Sequence, residues 1–278
     1  MQQVKDNLRN VQDCCLEILE VIDGVCRKHH ISYSLTGGSV IGYHLYRGII
    51  PWDDDIDIMM TRENYDKFLK VCEAELPPRY IVKNYENGRD KTTLFSKVSD
   101  ENTTIVELKS DGSRVVSGVF VDVSVFDKVP KDRWKRRYCY MAAKLLVCCK
   151  QRKYETGRKW ICWKRNVVIF LCKPFAGKIY TAVLKRIRKY SETDNYDYSE
   201  LLFGSTIAFP KELMNEYIDV EFGGKRCMLV ADYMNYLETR YGRREFYRKP
   251  RENDAPHHYI YVDCSKSYKD YLTKELEE

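Results

Sequence analysis

The stretch Pro51-Trp52-Asp53-Asp54-Asp55-Ile56-Asp57-Ile58-Met59-Met60 packs four carboxylates into five residues and runs straight into an apolar segment. On an extended strand, side chains two apart share a face. Asp55 and Asp57 therefore project together, while Ile56 and Ile58 bury the opposite face. Two such carboxylates repel each other unless a cation lies between them. A hard divalent ion, Mg²⁺ or Mn²⁺, takes oxygen ligands and leaves room for substrate phosphates. The chemistry implied is metal-dependent phosphoryl or nucleotidyl transfer. The plain alternative is a solvated acidic turn at Pro-Trp-Asp-Asp. It loses weight because the acids merge with a strand pattern rich in Ile and Met.

The elements that must position these acids can be read on either side. Residues 2–28 carry Leu8, Val11, Cys15, Ile18, Leu19, Ile22 and Cys26 at spacings of three and four, which predicts an amphipathic helix. His29 and His30 fall at its end and read as capping or exposed residues. Residues 31–35 alternate as a short strand. Thr36-Gly37-Gly38-Ser39 follows, then a short helix through Val40, Ile41, His44 and Leu45. A strand, a glycine turn and a helix start let backbone N–H groups approach an anion closely. Gly38 and Ser39 are therefore expected to contact donor phosphate. Residues 117–127 form the most strand-like segment of the chain, with Asp122 the one charge inside it. A lone carboxylate in an apolar strand is costly unless paired. A metal shared with Asp55 and Asp57 meets that need.

This order of glycine-serine turn, acid-apolar-acid strand and later third acid resembles the nucleotidyltransferase fold. More specifically, the sequence resembles the LicD family of phosphotransferases, which includes the fukutin-type enzymes. The resembling residues are Gly38-Ser39, Gly42 and the run from Gly48 through Pro51-Trp52-Asp53-Asp54-Asp55-Ile56-Asp57-Ile58. Lys97, Asp100, Thr103 and Val121-Asp122-Val123 follow, then Tyr241-Gly242, Pro250 and His257-His258. The resemblance implies transfer of phosphocholine from CDP-choline, or a related CDP-linked donor, to a hydroxyl of a cell-surface glycan or teichoic acid precursor. It implies Asp55, Asp57 and Asp122 as catalytic and metal-binding residues. It implies Gly38, Ser39, Trp52, Asp53, Asp54, Lys97, His257 and His258 as substrate-binding residues, with Lys97 neutralising the leaving nucleotide. The chain departs from the family pattern at Leu45-Tyr46-Arg47, where members often carry Arg-His, and at Ser124-Val125-Phe126-Asp127 after the third acid. The alternatives are a nucleotidyltransferase moving a nucleoside monophosphate and a catalytically silent scaffold of glycan assembly docked at a membrane.

The chain has 278 residues, 44 % hydrophobic and 32 % charged, enough for one elaborated domain or two. The expected architecture is α/β (α+β). A nucleotidyltransferase-like core with a mixed β-sheet covers 1–130, a basic helical insert 131–190, and a C-terminal α+β extension 191–278. Within these, 61–76 and 231–241 read as helices, and 217–230 as a hairpin turning at Gly223-Gly224. The net charge of +6 is unevenly distributed. Residues 131–190 hold 19 Lys and Arg against 2 acids, a net +17, and the remainder is −11. With Trp134, Trp160, Trp163, Phe170 and Phe175, this block reads as helices broken near Glu155-Thr156-Gly157 and at Pro174. Its longest apolar run, 167–172, is too short to span a bilayer. An anionic membrane surface beside a lipid-linked glycan acceptor suits it best. Nucleic acid is set aside because no recognition motif accompanies the charge. Eleven cysteines without a Cys-x-x-Cys pair point to reduced thiols rather than zinc. No N-terminal signal is visible. The expected location is cytoplasmic, peripheral at the inner face of the membrane.

Overall fold

A computed structural model of the chain describes residues 2–90, 93–108, 113–150, 159–190, 195–242 and 259–277. Helix α1 (Gln2–Lys28) leads into strand β1 (Ser34–Leu35), helix α2 (Gly37–Tyr46), strand β2 (Asp57–Thr61) and helix α3 (Arg62–Glu75). Strands β3 (Tyr80–Lys83), β4 (Ser96–Asp100), β5 (Thr104–Leu108), β6 (Arg114–Ser117) and β7 (Phe120–Pro130) follow. Three helices come next, α4 (Arg133–Lys150), α5 (Lys159–Cys172) and α6 (Ala176–Tyr190). Strands β8 (Tyr196–Ser199), β9 (Phe209–Pro210), β10 (Tyr217–Phe222) and β11 (Lys225–Val230) precede α7 (Tyr233–Tyr241). The chain closes on β12 (Tyr259–Asp263) and α8 (Tyr268–Glu277).

The main sheet runs β1-β2-β7-β4-β3, with β8 and β9 continuing from the far end of β7. Only the β2–β7 pair is parallel, so the sheet is mixed as expected. A second sheet of β12-β5-β6 and the β10–β11 hairpin complete the fold. One apolar core joins α1, the main sheet, α3, the hairpin and α7, with Ile18, Leu35, Ile58, Val121, Val123, Phe126, Phe222 and Tyr236 at zero exposure. The sequence stripe of α1 is the part that enters it. Thr61 caps α3 by accepting from the Asn64 amide (3.5 Å), and Asp232 caps α7 through the Asn235 amide (3.3 Å). Gly223 and Gly224 turn the hairpin at φ 59° and 80°, a region open to glycine without strain.

Three expectations change. Residues 117–127 are not one strand: β6 ends at Ser117 and β7 begins at Phe120. At Gly118, between the two strands, a Cβ would collide with the Asp100 carbonyl, so this close approach admits only glycine. The strand predicted over 31–35 keeps only Ser34 and Leu35. The apolar segment of the insert extends beyond the run predicted over 167–172. The stretch Asn166–Lys189, α5 through α6, is 24 residues long and apolar enough to cross a membrane by length and composition. Pro174 produces the expected break, a single 3₁₀ turn at Lys173–Phe175. The break near 155–157 lies outside the described residues.

The insert has its own core. Cys139, Ala143 and Leu146 of α4 pack with Tyr180, Val183, Leu184 and Ile187 of α6, against Val129, Leu201 and Leu202. Helix α5 contributes little to it. Trp160, Trp163, Val167, Val168, Phe170 and Leu171, with Phe175 just beyond, are exposed.

Candidate active site

Strand register assembles the centre. Asp57 of β2 lies directly across from Asp122 of β7. Asp122 lies across from Lys97 of β4, and Lys97 across from Lys83 of β3. Two acids and two lysines thus form one row across four adjacent strands. Cross-strand neighbours in such a row project to the same face. The alternation read from the sequence holds at the acids: Asp55 and Asp57 are half-buried, whereas Ile56 and Ile58 have no exposure. Asp55 precedes the strand proper.

The glycine turn presses directly on the acids. Gly37 opens α2 at φ 57°, and a Cβ there would lie 2.8 Å from Asp57 Oδ2. A Cβ on Gly38 would lie 3.2 Å from Asp53 Oδ2. The Ser39 hydroxyl accepts from the Asp57 amide at 2.9 Å, and the Thr36 amide donates to the Asp57 carbonyl at 3.0 Å. Ser39 therefore holds the strand that carries Asp57, a role its place in the turn did not reveal. The Asp57 carboxyl is pushed well above the usual carboxylate range, first by burial and then by the Asp55 and Asp122 carboxylates.

The acid loop is clamped from α1. Gln12 donates through Nε2 to the carbonyls of Asp53 (2.8 Å) and Ile50 (3.3 Å). Among the described residues, Asp53, Asp54 and Asp55 are the group whose carboxylate oxygens all approach within 4.8 Å of one another. This set shares only Asp55 with the expected ligand set of Asp55, Asp57 and Asp122. Asp54, expected in a loop, is 6 % exposed. Trp52 is half-buried, with its ring edge-on to Tyr46 at 6.1 Å. The donor atoms are all carboxylate oxygens, which suits a hard divalent cation.

Lys97 is buried, not a surface lysine. Its Nζ lies 3.7 Å from Asp122 Oδ1, 3.6 Å from Glu107 Oε2 and 3.2 Å from the centre of the Phe120 ring. Asp100 and Thr103 are structural. Asp100 pairs with Arg79, and the Thr103 hydroxyl donates to the Asp100 carbonyl (2.9 Å) and accepts from the Val119 amide (2.8 Å). Asp127 is also structural, bound by the buried Arg62 at 2.8 and 3.2 Å. Pro250, His257 and His258 lie outside the described residues.

Sequence reading missed two cations, Lys83 of the row and Arg240. Arg240 of α7 pairs with Glu200, whose own exposure is 2 %. One turn back on α7, the Tyr236 hydroxyl bonds Thr36 Oγ1 (2.7 Å) and accepts from the Gly37 amide (2.8 Å). The Arg240 guanidinium is near enough to Asp57 to lower its pKa against the other influences on it. The only sequence signal was its position next to Tyr241-Gly242. Glu200 carried none.

The family model for the LicD/FKTN/FKRP nucleotidyltransferase domain matches residues 30–144, which span the glycine turn and all the acids. The chain is also 30 % identical over 265 residues to the lipopolysaccharide cholinephosphotransferase LicD of Haemophilus influenzae, covering 91 % of this chain and 97 % of the relative. The chain belongs to the LicD family. It is accordingly an enzyme, a LicD-type phosphotransferase with an α+β nucleotidyltransferase-like domain. The LicD relationship extends beyond the residues of the domain model into α4–α6 and the C-terminal segment that supplies Arg240.

Proposed function

We propose that this LicD-family protein transfers phosphocholine from CDP-choline to a hydroxyl of a cell-surface glycan, with lipopolysaccharide or a teichoic acid precursor as acceptor. The observation that carries the reading is the Asp57–Asp122 pair beside Asp55, on a chain similar over nearly its full length to a lipopolysaccharide cholinephosphotransferase. Asp55, Asp57 and Asp122 would hold Mg²⁺ or Mn²⁺, with Asp53 and Asp54 adjacent. Such an ion, when bound, neutralises diphosphate charge and stabilises the leaving oxygen.

The chain's own residues do the rest. Gly37 and Gly38 let the donor diphosphate come close to the backbone, and Arg240 offers a planar fork to its oxygens. The acceptor oxygen attacks the phosphorus that bears choline. The bond from that phosphorus to the bridging oxygen breaks, and CMP leaves. The acceptor proton passes to the Asp122 carboxylate. Positioning and charge neutralisation are most of what phosphoryl transfer requires of a protein. The test is product analysis with Mg²⁺. CMP and a choline-bearing glycan are expected, whereas pyrophosphate release would establish nucleotidyl transfer instead.

The insert supports peripheral attachment at the cytoplasmic face of the membrane. Exposed Trp163, Phe170, Leu171 and Phe175 lie in a block of net charge +17, the pattern of an interfacial helix on anionic lipid. A lipid-linked acceptor would then be met at the same membrane face. Salt-sensitive binding to vesicles containing phosphatidylglycerol, absent with phosphatidylcholine alone, is the expected result. No binding at low salt would refute it.

A further inference from the structure

A cavity of about 450 Å³ adjoins the catalytic row on its lysine side. Lys83, Arg89, Lys97, Glu107, Ser117 and Tyr268 are among its walls. Its volume falls within the roughly 300–1,000 Å³ of small-molecule sites. The walls are braced. Lys83 Nζ lies 3.1 Å from Glu101 Oε1 and 4.3 Å from the centre of the Tyr268 ring, and the Tyr268 hydroxyl bonds Glu101 at 3.0 Å. We infer that this cavity seats the acceptor, receiving the hydroxyl-bearing sugar residue that attacks the donor.

Three observations support the assignment, which rests on the transfer reaction proposed above. The first is the order of the row. Asp122 stands in the middle, with Asp57 and the glycine turn on one side and Lys97, Lys83 and the cavity on the other. In-line displacement brings the entering and leaving oxygens to opposite sides of phosphorus. A donor diphosphate against Gly37, Gly38 and Arg240 leaves the lysine side for the entering hydroxyl, beside the carboxylate that accepts its proton. Lys97 then serves the acceptor side and not the leaving nucleotide.

The second is chemistry. Lysines and a glutamate beside a serine hydroxyl and a tyrosine ring offer donors and acceptors around a stacking face, which is what a sugar ring presents to a protein. The third is location. Arg89 of the cavity wall lies in the connection between β3 and β4, which the insert contacts. There Tyr85 stacks edge-on to Tyr180 of α6 at 4.7 Å, and the Tyr180 hydroxyl donates to Glu86 at 2.8 Å. The cavity thus lies between the reaction centre and the basic insert, where a lipid-linked glycan would enter.

The test uses the full chain and two variants, Ser117→Trp to fill the cavity and Tyr268→Ala to remove its aromatic wall. Both are first checked for an unchanged circular dichroism spectrum and melting temperature. The acceptor KM, measured with delipidated lipopolysaccharide core oligosaccharide, should rise at least tenfold, with the donor KM within twofold of the parent. Calorimetry without donor should show oligosaccharide binding to the parent and its loss in Ser117→Trp. That loss supports the cavity even where CDP-choline is not the donor. CDP-choline turnover with an unaltered acceptor KM in both folded variants overturns the assignment and leaves the proposed function standing. A raised donor KM alone would make the cavity a nucleoside seat and overturns it equally. If Ser117→Trp fails to fold, Tyr268→Ala decides by the same KM comparison.

Discussion

Gly37→Ala isolates the geometry of the acid site from its chemistry. No charged or polar side chain is altered. The new Cβ would stand 2.8 Å from Asp57 Oδ2, whereas real Cβ contacts below 3.0 Å are essentially never seen. The Asp57 backbone cannot retreat, because its amide is held by Ser39 and its carbonyl by Thr36. The carboxylate must therefore rotate away, by roughly half an ångström, which is the tolerance of a working catalytic constellation. A 1 Å misplacement costs about 10²-fold in rate, so a loss of roughly ten- to hundredfold in CMP release is expected. An alanine at φ 57° also costs about 1–2 kcal/mol of stability. In a chain of this length that lowers Tm by roughly 2–8 °C. Gly224→Ala is the matched control. Gly224 sits at φ 80° with nothing within 4 Å of its would-be Cβ. It should lose comparable stability and keep full activity. Gly37→Ala at parental turnover, or an equal loss of activity in Gly224→Ala, would refute the reasoning.

Asp57→Asn should abolish nearly all turnover while raising the thermal stability of the metal-free protein, since it removes a repelled, buried charge; scanning calorimetry with EDTA reads the second effect. The pH dependence follows from the same group. The folded-state pKa of Asp57 is raised, so ionisation is harder in the folded chain than in the unfolded one. Stability of the metal-free protein should therefore fall as pH rises from about 4 towards that folded pKa, and the stabilisation given by Mg²⁺ should grow over the same range. A metal effect on Tm that shrinks as pH rises would contradict this. Arg240→Ala should raise the donor KM about tenfold or more, with Arg240→Lys only partly restoring it, in steady-state assays at saturating acceptor. Asp127→Ala leaves the Arg62 guanidinium buried without its bidentate partner, and chemical denaturation should give a loss of about 3–5 kcal/mol.

What was legible in the sequence follows the range of the interactions. The period-two alternation of Asp55, Ile56, Asp57 and Ile58 is local, and the strand keeps it. The glycine turn before α2, the hairpin at Gly223-Gly224, and Pro174 are also local and hold. The close approach at Gly118 was hidden because the Asp100 carbonyl comes from another strand. The row linking Asp57, Asp122, Lys97 and Lys83 depends on register between β2, β7, β4 and β3, which no spacing along the chain reveals. Arg240 and Glu200 meet across 40 residues, Arg240 brought in on α7, which Tyr236 anchors to the glycine turn, and Glu200 directly after β8, which pairs with β7. Asp127 carried no assigned role in the sequence. It pairs with Arg62 from α3, a partner visible only in three dimensions.

The helical stretch of α5 and α6 is long and apolar enough to raise the question of spanning, and magnitudes favour the interfacial placement proposed above. In the window 167–184, nine Val, Ile, Leu and Phe side chains each favour insertion by roughly 0.3–0.6 kcal/mol. Lys173 and Lys178 sit near its middle and each oppose insertion by roughly 2.5–3.5 kcal/mol. The lysines at least cancel the apolar gain before Pro174 and Gly177 weaken the helix further. Spanning would also pull Tyr180 from Glu86 and detach α6 from α4. At an interface the same lysines reach the headgroups while Phe170, Leu171 and Phe175 enter the acyl boundary, and α6 keeps its packing. In the interfacial placement proposed above, the exposed apolar face of α5 would dock the chain while Tyr180 keeps its contacts with Tyr85 and Glu86.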